Sequence, residues 1–354
     1  MAAEGDHIRR YTYTGEDDEV PDDVTHVTIA ASVTVIPEYA FYDNRSIIEV
    51  IFDKNIKRVE DYAFNWCSSL RRVIMPGVEI VEDEAFHYCE ALTDVECGKL
   101  EIIKESAFSH CNSLGSIDLP SAKFVWEDAF LGCEALTDVK FGSKLERIGE
   151  IAFFGCPSLE RITIPLKDGM MNDDNLFTRC ENLKHVDLVE GEVHETIAAL
   201  QLEEWRIDMN EEIVSINQIL PTTPAGNDVY EGDDGGKARV IRTWIRSVLG
   251  KIIHYKLEHQ RYLNEEIATT LSAALPRDIV MNNILPFLEL PSHTFELVDH
   301  EEEEDEDDSV REEEVEEEEQ GDDNEHSDDD FDDDGNASLE EDGSRKRRRI
   351  GDHA

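Results

Sequence analysis

The chain has 354 residues and 40% of them are hydrophobic, which is enough for a substantial core in part of the chain. Its formal net charge of −50 disfavours nucleic acid as a partner and favours basic proteins. Residues 1–13 contain no apolar run typical of a signal peptide. A membrane span needs about 18 apolar residues, and no window of the sequence comes near that number. We therefore expect a soluble, intracellular protein without a membrane partner.

An N-terminal arm, residues 1–23, precedes an internal repeat of 22 to 24 residues that we place at residues 24–189. Each copy is marked by the dipeptide Ala-Phe, which recurs six times, with Leu176-Phe177 as a weakened seventh copy. The six copies are Ala40-Phe41, Ala63-Phe64, Ala85-Phe86, Ala107-Phe108, Ala129-Phe130 and Ala152-Phe153. A cysteine stands three residues after the Phe in every copy but the first, which has Asn44, and an aliphatic residue follows three residues later.

Each repeat then carries two apolar residues spaced two apart, such as Val73 and Met75, which places both side chains on one face of a short strand. We predict eight such strands, from Val27 to Val186, stacked in parallel so that one face of each is buried. An apolar residue five positions before each Phe, such as Ile36 or Val59, predicts a second short strand or a turn on the opposite wall. One copy is too small to be stable alone, whereas stacked copies share a core.

Six of the seven cysteines occupy one position of the repeat. Cysteine is a small, commonly buried residue, so a compact column inside the core is the favoured interpretation, with reduced thiols and no disulfide framework. A redox or metal ladder is the alternative. Ligands spaced about 22 residues apart on separate coils are a poor arrangement for zinc, which needs clustered ligands.

The pattern AFxxCxxLxxVxI, often followed by a proline (Pro76, Pro120, Pro165), resembles the BspA-type leucine-rich repeats over about residues 24–189. The resemblance implies a repeat solenoid, a β-rich right-handed coil that recognises other proteins and has no catalytic residues. Several members of that family are secreted or surface adhesins. Because this chain shows no export signal, we do not expect an adhesive role.

The outward residues of the long strands are the expected recognition face of such a solenoid. They vary from copy to copy, and the alternative is a merely solvated face. The candidate protein-binding residues are Arg71, Arg72, Asp94, Glu96, Asp118, Asp138, Lys140, Glu160, Arg161, Lys184, His185 and Asp187.

A helical domain is predicted at residues 190–298. Apolar spacing of three to five residues predicts a helix over 195–220, a linker over 221–236 and a second helix over 237–274. The first helix is acidic and the second is basic, which favours an antiparallel α-helical hairpin that caps the solenoid or pairs with a second copy. The alternative is that the basic helix docks an acidic ligand, such as the chain's own tail.

The segment 275–288, LPRDIVMNNILPFL, resembles the opening of an F-box and so suggests a ubiquitin-ligase adaptor. The match is short, and F-boxes are longer and usually precede the repeats. A helix whose apolar face packs on the hairpin is the simpler interpretation.

Residues 299–354 are predicted to be a disordered acidic tail, because residues 299–342 contain 28 acidic residues and one arginine. The tail ends in a basic cluster, Arg345, Lys346, Arg347, Arg348 and Arg349, which is typical of a nuclear-import signal. This layout is similar to that of acidic nuclear phosphoproteins that bind histones, although their repeats are of another class. We therefore favour a nuclear location, with the cytoplasm as the alternative.

No catalytic motif is found: Gly235-Gly236-Lys237 lacks the flanking residues of a phosphate-binding loop, and HExxH, GxSxG and metal-ligand spacings are missing from the sequence. We expect no enzyme activity and no cofactor, although an enzyme hidden in the helical domain is an open alternative. The expected function is a scaffold that binds a protein partner of unknown identity. The two other candidates are a nuclear acidic-tail binder of histones or other basic proteins and an F-box-like substrate adaptor.

Overall fold

A computed structural model describes residues 8–15, 18–221 and 236–298. Residues 10–188 form a parallel β-solenoid with a long-strand wall and a short-strand wall. The long strands are β1 (Arg10–Tyr13), β2 (His26–Ile29), β4 (Glu49–Ile51), β6 (Arg72–Ile74), β8 (Asp94–Glu96), β10 (Ser116–Leu119), β12 (Asp138–Phe141), β14 (Arg161–Ile164) and β15 (His185–Leu188). The short strands are β3 (Val35–Ile36), β5 (Arg58–Val59), β7 (Ile80–Val81), β9 (Ile102–Ile103), β11 (Phe124–Val125) and β13 (Arg147–Ile148).

The eight predicted long strands and the predicted second wall are confirmed, and every pairing in both walls is parallel. One further strand precedes them, because β1 pairs with β2 in the register Tyr11 to Val27. Its residues lie in the segment that the sequence analysis assigned to the arm. Tyr13 is 2% exposed and takes the place of a core residue against Phe41, at a ring-centroid distance of 5.0 Å.

The long-strand wall consists of two sheets rather than one. The first contains β1, β2, β4, β6 and β8, and the second contains β10, β12, β14 and β15. Strands β8 and β10 adjoin without a ladder, and two glycines, Gly98 and Gly115, flank this junction. Glycine has no side chain to pack on a neighbouring strand, so it weakens strand pairing.

The core is a column of parallel phenylalanine rings at the repeated position. Neighbouring rings from Phe41 to Phe177 lie 4.7 to 5.9 Å apart between centroids. Beside them, each repeat cysteine donates its thiol to the carbonyl oxygen of the Phe one coil earlier, as Cys111 does to Phe86 at 3.3 Å. All seven cysteines are free and buried, which confirms the predicted column of buried thiols.

Each coil makes two tight turns, and together these turns form one edge of the solenoid, which we call the turn edge. In each coil it runs from the fourth residue before the repeat Phe to the second residue after it. The second residue before the Phe has a positive φ of 42 to 56° in six coils, as in Tyr39 and Tyr62. The second residue after the Phe also has positive φ, as in Trp66 and His110. Such φ values are uncommon outside glycine, and here bonds between coils, such as Phe64 N–H to Ala85 O at 2.7 Å, hold them.

The helical region contains α1 (Glu192–Ala199), α2 (Glu203–Ile219), α3 (Gly236–Tyr262), α4 (Ala268–Ser272) and the short α5 (Arg277–Ile279). A π-helical turn, Leu263–Ile267, joins α3 to α4, and α5 continues into a second π turn, Val280–Ile284, and a 3-10 turn, Leu285–Phe287. Among the described residues, no helix combines the length and apolar character needed to cross a bilayer.

The helix expected over 195–220 begins earlier and is interrupted at residues 200–202. The break is stabilised by polar side chains: Arg206 donates to the Leu200 carbonyl at 2.6 Å, and the Gln201 amide donates to Nδ1 of His259 at 3.4 Å. These contacts replace the bonds that a continuous helix would supply, and the apolar spacing does not reveal them. The second helix, expected over 237–274, is helical over that range except that it passes through the π turn and ends at Ser272.

Helices α2 and α3 form the expected antiparallel hairpin. Asp208 contacts Lys251 and Tyr255, whereas Glu212, one turn later in α2, contacts the earlier residues Trp244 and Ser247. The hairpin also covers the open end of the solenoid. Asn217 Oδ1 accepts a hydrogen bond from the Val186 amide at 3.0 Å, and Lys237 donates to the Cys180 carbonyl.

Candidate protein-binding surface

The predicted recognition residues lie on the outer side of the long-strand wall, but the break between β8 and β10 divides them. Arg71, Arg72, Asp94 and Glu96 lie on the first sheet. The others lie on or directly before the strands of the second sheet: Asp118, Asp138, Lys140, Glu160, Arg161, Lys184, His185 and Asp187. Within each sheet the register brings them into columns, as in Asp138, Arg161 and His185.

On the first sheet, one arginine pairs with three carboxylates of the outer face. The Arg72 guanidinium lies 2.9 Å from Asp94, 2.7 Å from Glu96 and 3.5 Å from Glu49. The hydrogen bond that Arg72 donates to Glu96 and the negative charge of Asp94 raise the pKa of Arg72. Arg72 therefore joins three neighbouring strands, and its charge is already satisfied within the chain.

On the second sheet, Arg161 plays the same part between Asp138, at 3.7 Å, and Asp187. Asp118 and Lys140 differ from Asp138, Arg161 and Asp187 because both are exposed. They line a groove of about 540 Å³. The opposite wall of the groove is α2, which contributes Ile213, Val214 and Asn217. We call this the sheet–helix groove.

The apolar side of the sheet–helix groove is open to solvent. Val214 is 53% exposed, although valine favours burial. Helix α2 cannot easily swing away from the sheet, since Ile216 is fully buried and Asn217 is bonded to β15. On its other side, Lys251 of α3 lies 2.9 Å from Glu212 and 3.1 Å from Asp208.

Sequence reasoning found Asp118 and Lys140 but missed the α2 side of the groove. The sequence contains only a weak indication of this wall. The apolar spacing identifies the buried face of the helix, and Val214 and Ile207 are apolar residues outside that face. Only the docking of α2 on β15 shows that Val214, and not Ile207, faces the sheet.

Three cations of the basic helix α3 pair with carboxylates of the chain. Arg242 pairs with Asp174, Arg246 with Asp168 at 2.9 Å, and Lys251 with Asp208 and Glu212. An acidic ligand at α3 would have to displace these carboxylates. Binding of an acidic ligand to this helix would therefore require breaking these ion pairs, which the sequence did not show.

An extended segment, residues 288–298, crosses back over α3 to the last coil. His259 Nε2 donates to the Leu288 carbonyl at 2.9 Å, and the Val298 amide donates to Asp168 at 3.1 Å. Lys256 lies 5.1 Å from the centre of the Phe295 ring. A cavity of about 670 Å³ is lined by this segment and by the end of the solenoid.

The F-box-like segment 275–288 lies apart from the main core. Only Val280 and Leu285 of the segment are buried, and they pack on Ala268 in a small cluster of their own. Phe287 is 87% exposed. The predicted import signal, Arg345 to Arg349, and the acidic tail lie outside the described residues.

Comparison with known proteins identifies the repeat. A family model described as BspA type leucine rich repeat region matches residues 21–126 and 101–208, with six copies, and so covers more than half of the chain. No curated protein matches.

Two solved leucine-rich-repeat structures are similar to part of this chain. A leucine-rich-repeat protein of T. pallidum is 23% identical, covers 49% of this chain and 83% of its own, and has a TM-score of 0.42. A leucine-rich-repeat protein of Bacteroides ovatus is 21% identical, covers 51% of this chain and 54% of its own, and has a TM-score of 0.34. The similarity to both is limited to about half of this chain.

Proposed function

This chain belongs to the BspA-type leucine-rich-repeat family, and from that premise we propose that it is a non-enzymatic scaffold that binds another protein in the sheet–helix groove. Repeats of this family commonly serve as protein-interaction scaffolds. The observation that carries the proposal is the exposed Val214 on a fixed helix, facing the exposed charges of Asp118 and Lys140. An apolar contact bordered by polar groups is typical of a protein interface.

The paired charges elsewhere on the wall support this choice of site. Arg72 and Arg161 already satisfy neighbouring carboxylates, so a partner gains little by approaching them. Replacing Arg72 would leave Glu49, Asp94 and Glu96 facing each other. A test of binding therefore works better with residues that the chain does not use for itself.

The experiment compares affinity capture by the full chain with capture by two groove variants, Val214→Asp and Lys140→Glu. The matched controls are Ile207→Asp, which lies on the same helix and is 51% exposed, and Arg71→Glu on the first sheet. We expect a specific set of captured proteins to be lost with both groove variants and retained with both controls. The purified partner should then bind the groove variants about tenfold or more weakly, as for loss of an interface hot spot.

Retention of all captured proteins by both groove variants would reject the groove as the site. Loss with Arg71→Glu alone would place binding on the first sheet instead. Thermal unfolding of each variant should match the wild type, because all four side chains are exposed.

An F-box-like adaptor is a second candidate, favoured by the exposed side chains of Ile279, Met281 and Phe287 in segment 275–288. An exposed apolar cluster of this kind commonly marks a docking surface. Co-purification of Skp-type and cullin subunits with the full chain, lost on Phe287→Asp, would support it. Their absence from the captured proteins would remove it.

A third candidate, a nuclear binder of histones or other basic proteins, is supported by the acidic run and the basic cluster in the sequence. Removing Arg345 to Arg349 should then abolish a nuclear signal of the tagged protein, and removing residues 299–342 should weaken histone binding. A cytoplasmic signal of the intact chain would argue against this candidate.

A further inference from the structure

The turn edge of the first coils presents a group of aromatic rings that the protein-binding groove does not use. We call it the aromatic corner: Tyr39, Tyr42, Tyr62 and Trp66. Tyr39 is 51% exposed, Tyr42 47% and Trp66 38%. Tyr39 and Tyr42 are exposed side by side, which is unusual for an inert surface, while Trp66 stacks on Tyr88 of the next coil.

The rings of the aromatic corner are held in fixed relative positions. Tyr39 stacks on Tyr62 with centroids 5.0 Å apart and planes within 4°. Tyr42 stands nearly perpendicular to Tyr39, at 5.5 Å and 74°. Since Tyr39 belongs to the first Ala-Phe copy, it ends the stack, and Tyr39 and Tyr42 form two walls of an open cage.

The surroundings of this cage are acidic. The residue three before the repeat Phe is acidic in all seven copies: Glu38, Asp61, Asp83, Glu105, Glu127, Glu150 and Asp174. Some of these carboxylates have a structural use, since Asp61 accepts the Asp83 amide at 3.2 Å. At Tyr39, partial desolvation together with the nearby charges of Glu38, Asp61 and Glu84 raises the pKa of the phenol.

Elsewhere on the turn edge, cationic side chains lie over aromatic rings. Lys104 lies over the ring of Trp126 at 4.6 Å, and Arg179 lies over Phe154 at 5.5 Å. Within the described part of the chain, no lysine or arginine lies over Tyr39, Tyr42 or Trp66. The aromatic corner thus combines ring faces and negative charge without the cation that accompanies Trp126 and Phe154.

We propose that the aromatic corner binds an arginine side chain of a partner polypeptide, with the guanidinium against Tyr39 and Tyr42 and facing Glu38. Charge complementarity selects a cation. Arginine suits the site better than lysine because its planar guanidinium stacks on aromatic rings and donates several hydrogen bonds to a carboxylate. The site lies on the turn edge and is independent of the sheet–helix groove.

The test uses the full chain and two labelled peptides that differ at a single point. One carries two arginines in a Gly-Ser background, and the other carries citrulline, a neutral side chain of the same shape. Fluorescence anisotropy gives the Kd of each for the wild type and for Tyr39→Ala/Tyr42→Ala. Measurement at about 0.3 M salt reduces the contribution of exposed acidic residues elsewhere, including the tail.

We expect the wild type to prefer the arginine peptide, and the double alanine variant to lose that preference by about 2- to 30-fold, the range of cation–π contacts. Glu38→Gln should cause a smaller loss. Tyr39→Phe/Tyr42→Phe should keep the preference, because the rings remain. Phe287→Ala is the matched control for removing an exposed ring, and it should have no effect.

An unchanged preference in the double alanine variant would overturn the proposal and assign arginine binding to other acidic residues of the chain. Equal binding of both peptides by the wild type would overturn it as well. The rings are exposed, so circular dichroism of the double variant should match the wild type, and loss of binding then reports on the site itself.

Discussion

The solenoid and the helical region achieve burial in different ways. In the solenoid, one residue type repeated at one position makes the core, so Phe41 to Phe177 and the cysteine column bury one another coil after coil. In the helical region, apolar residues without a repeat, such as Ile216 and Ile241, complete the core, and single polar contacts such as Asn217 to Val186 add to them. The last part, residues 263–288, contains a small separate cluster of three buried residues, Ala268, Val280 and Leu285.

This difference teaches where stability and binding are located. Neighbour stacking makes every interior coil of the solenoid depend on the next, as expected of a repeat protein. The helical region leaves apolar side chains such as Val214 and Phe287 exposed, whereas the exposed rings of the solenoid, such as Tyr39 and Tyr42, lie on its turn edge. Four predictions, in order of decreasing effect, test whether the two regions differ in this way.

Removing one ring from the middle of the solenoid should have the largest effect per residue. Phe108 is fully buried between Phe86 and Phe130, at 5.2 and 5.5 Å. We expect Phe108→Ala to lower the free energy of unfolding by about 3–5 kcal/mol, through lost burial and the cavity left behind. Urea denaturation followed by circular dichroism measures it. The matched control, Phe287→Ala, should change stability by less than about 0.5 kcal/mol, and equal losses would contradict the comparison.

Alkaline pH should weaken the solenoid selectively. Burial raises the pKa of Cys67 and Cys133 to about 12, whereas the pKa of a thiol in the unfolded chain is about 8.5. The folded state therefore favours the protonated thiol. This stability is complete below about pH 8.5 and is lost as pH rises toward 12, by about 1.4 kcal/mol per pH unit for each thiol.

The measurement is the urea midpoint between pH 8 and 10.5, for the wild type and for Cys133→Ala. Cys133→Ala should be less stable than the wild type at pH 7. Its stability should then fall less steeply than that of the wild type as the pH rises. Identical slopes would show that the Cys133 thiol does not remain protonated in the folded chain. Rapid thiol modification of the native protein would contradict the buried column more directly.

The repetition explains how much of the structure could be predicted. Seven copies of one pattern report the same environment, so the eight long strands, the second wall and the buried cysteines follow from spacing alone. The break after β8 does not, because every copy around it keeps its apolar pattern. The sheet–helix groove is half predictable: Lys140 lies at a repeat position, whereas Val214 faces the sheet only because α2 docks on β15.

The polar contact that docks α2 should be worth less than a core ring. Asn217→Ala removes the acceptor of the Val186 amide, and we expect a loss of about 1 kcal/mol, typical of one hydrogen bond. Gln218→Ala, an exposed neighbour on the same helix, is the control and should be neutral. Hydrogen exchange of the Val186 amide should accelerate in the Asn217 variant alone. Unchanged exchange would show that α2 is held to β15 by apolar packing without this bond.

The smallest effect is expected at Asp208, where α2 meets α3. Hydrogen bonds from Tyr255 and Lys251 lower the pKa of the Asp208 carboxyl in the folded chain. Its contribution to stability is therefore present above the unfolded pKa of about 3.9 and is lost as pH falls through the lower folded value.

Tyr255→Phe should move the pKa of Asp208 upward and reduce this acid-dependent stability, which for so exposed a pair is about 0.2–1 kcal/mol. An NMR titration of the carboxyl carbon measures the shift, and Tyr262→Phe, which leaves the carboxylate untouched, is the control. A pKa that is unchanged in Tyr255→Phe would mean that Lys251 alone holds Asp208 in its charged form, and the hairpin would then depend on charge at this point where the solenoid depends on packing.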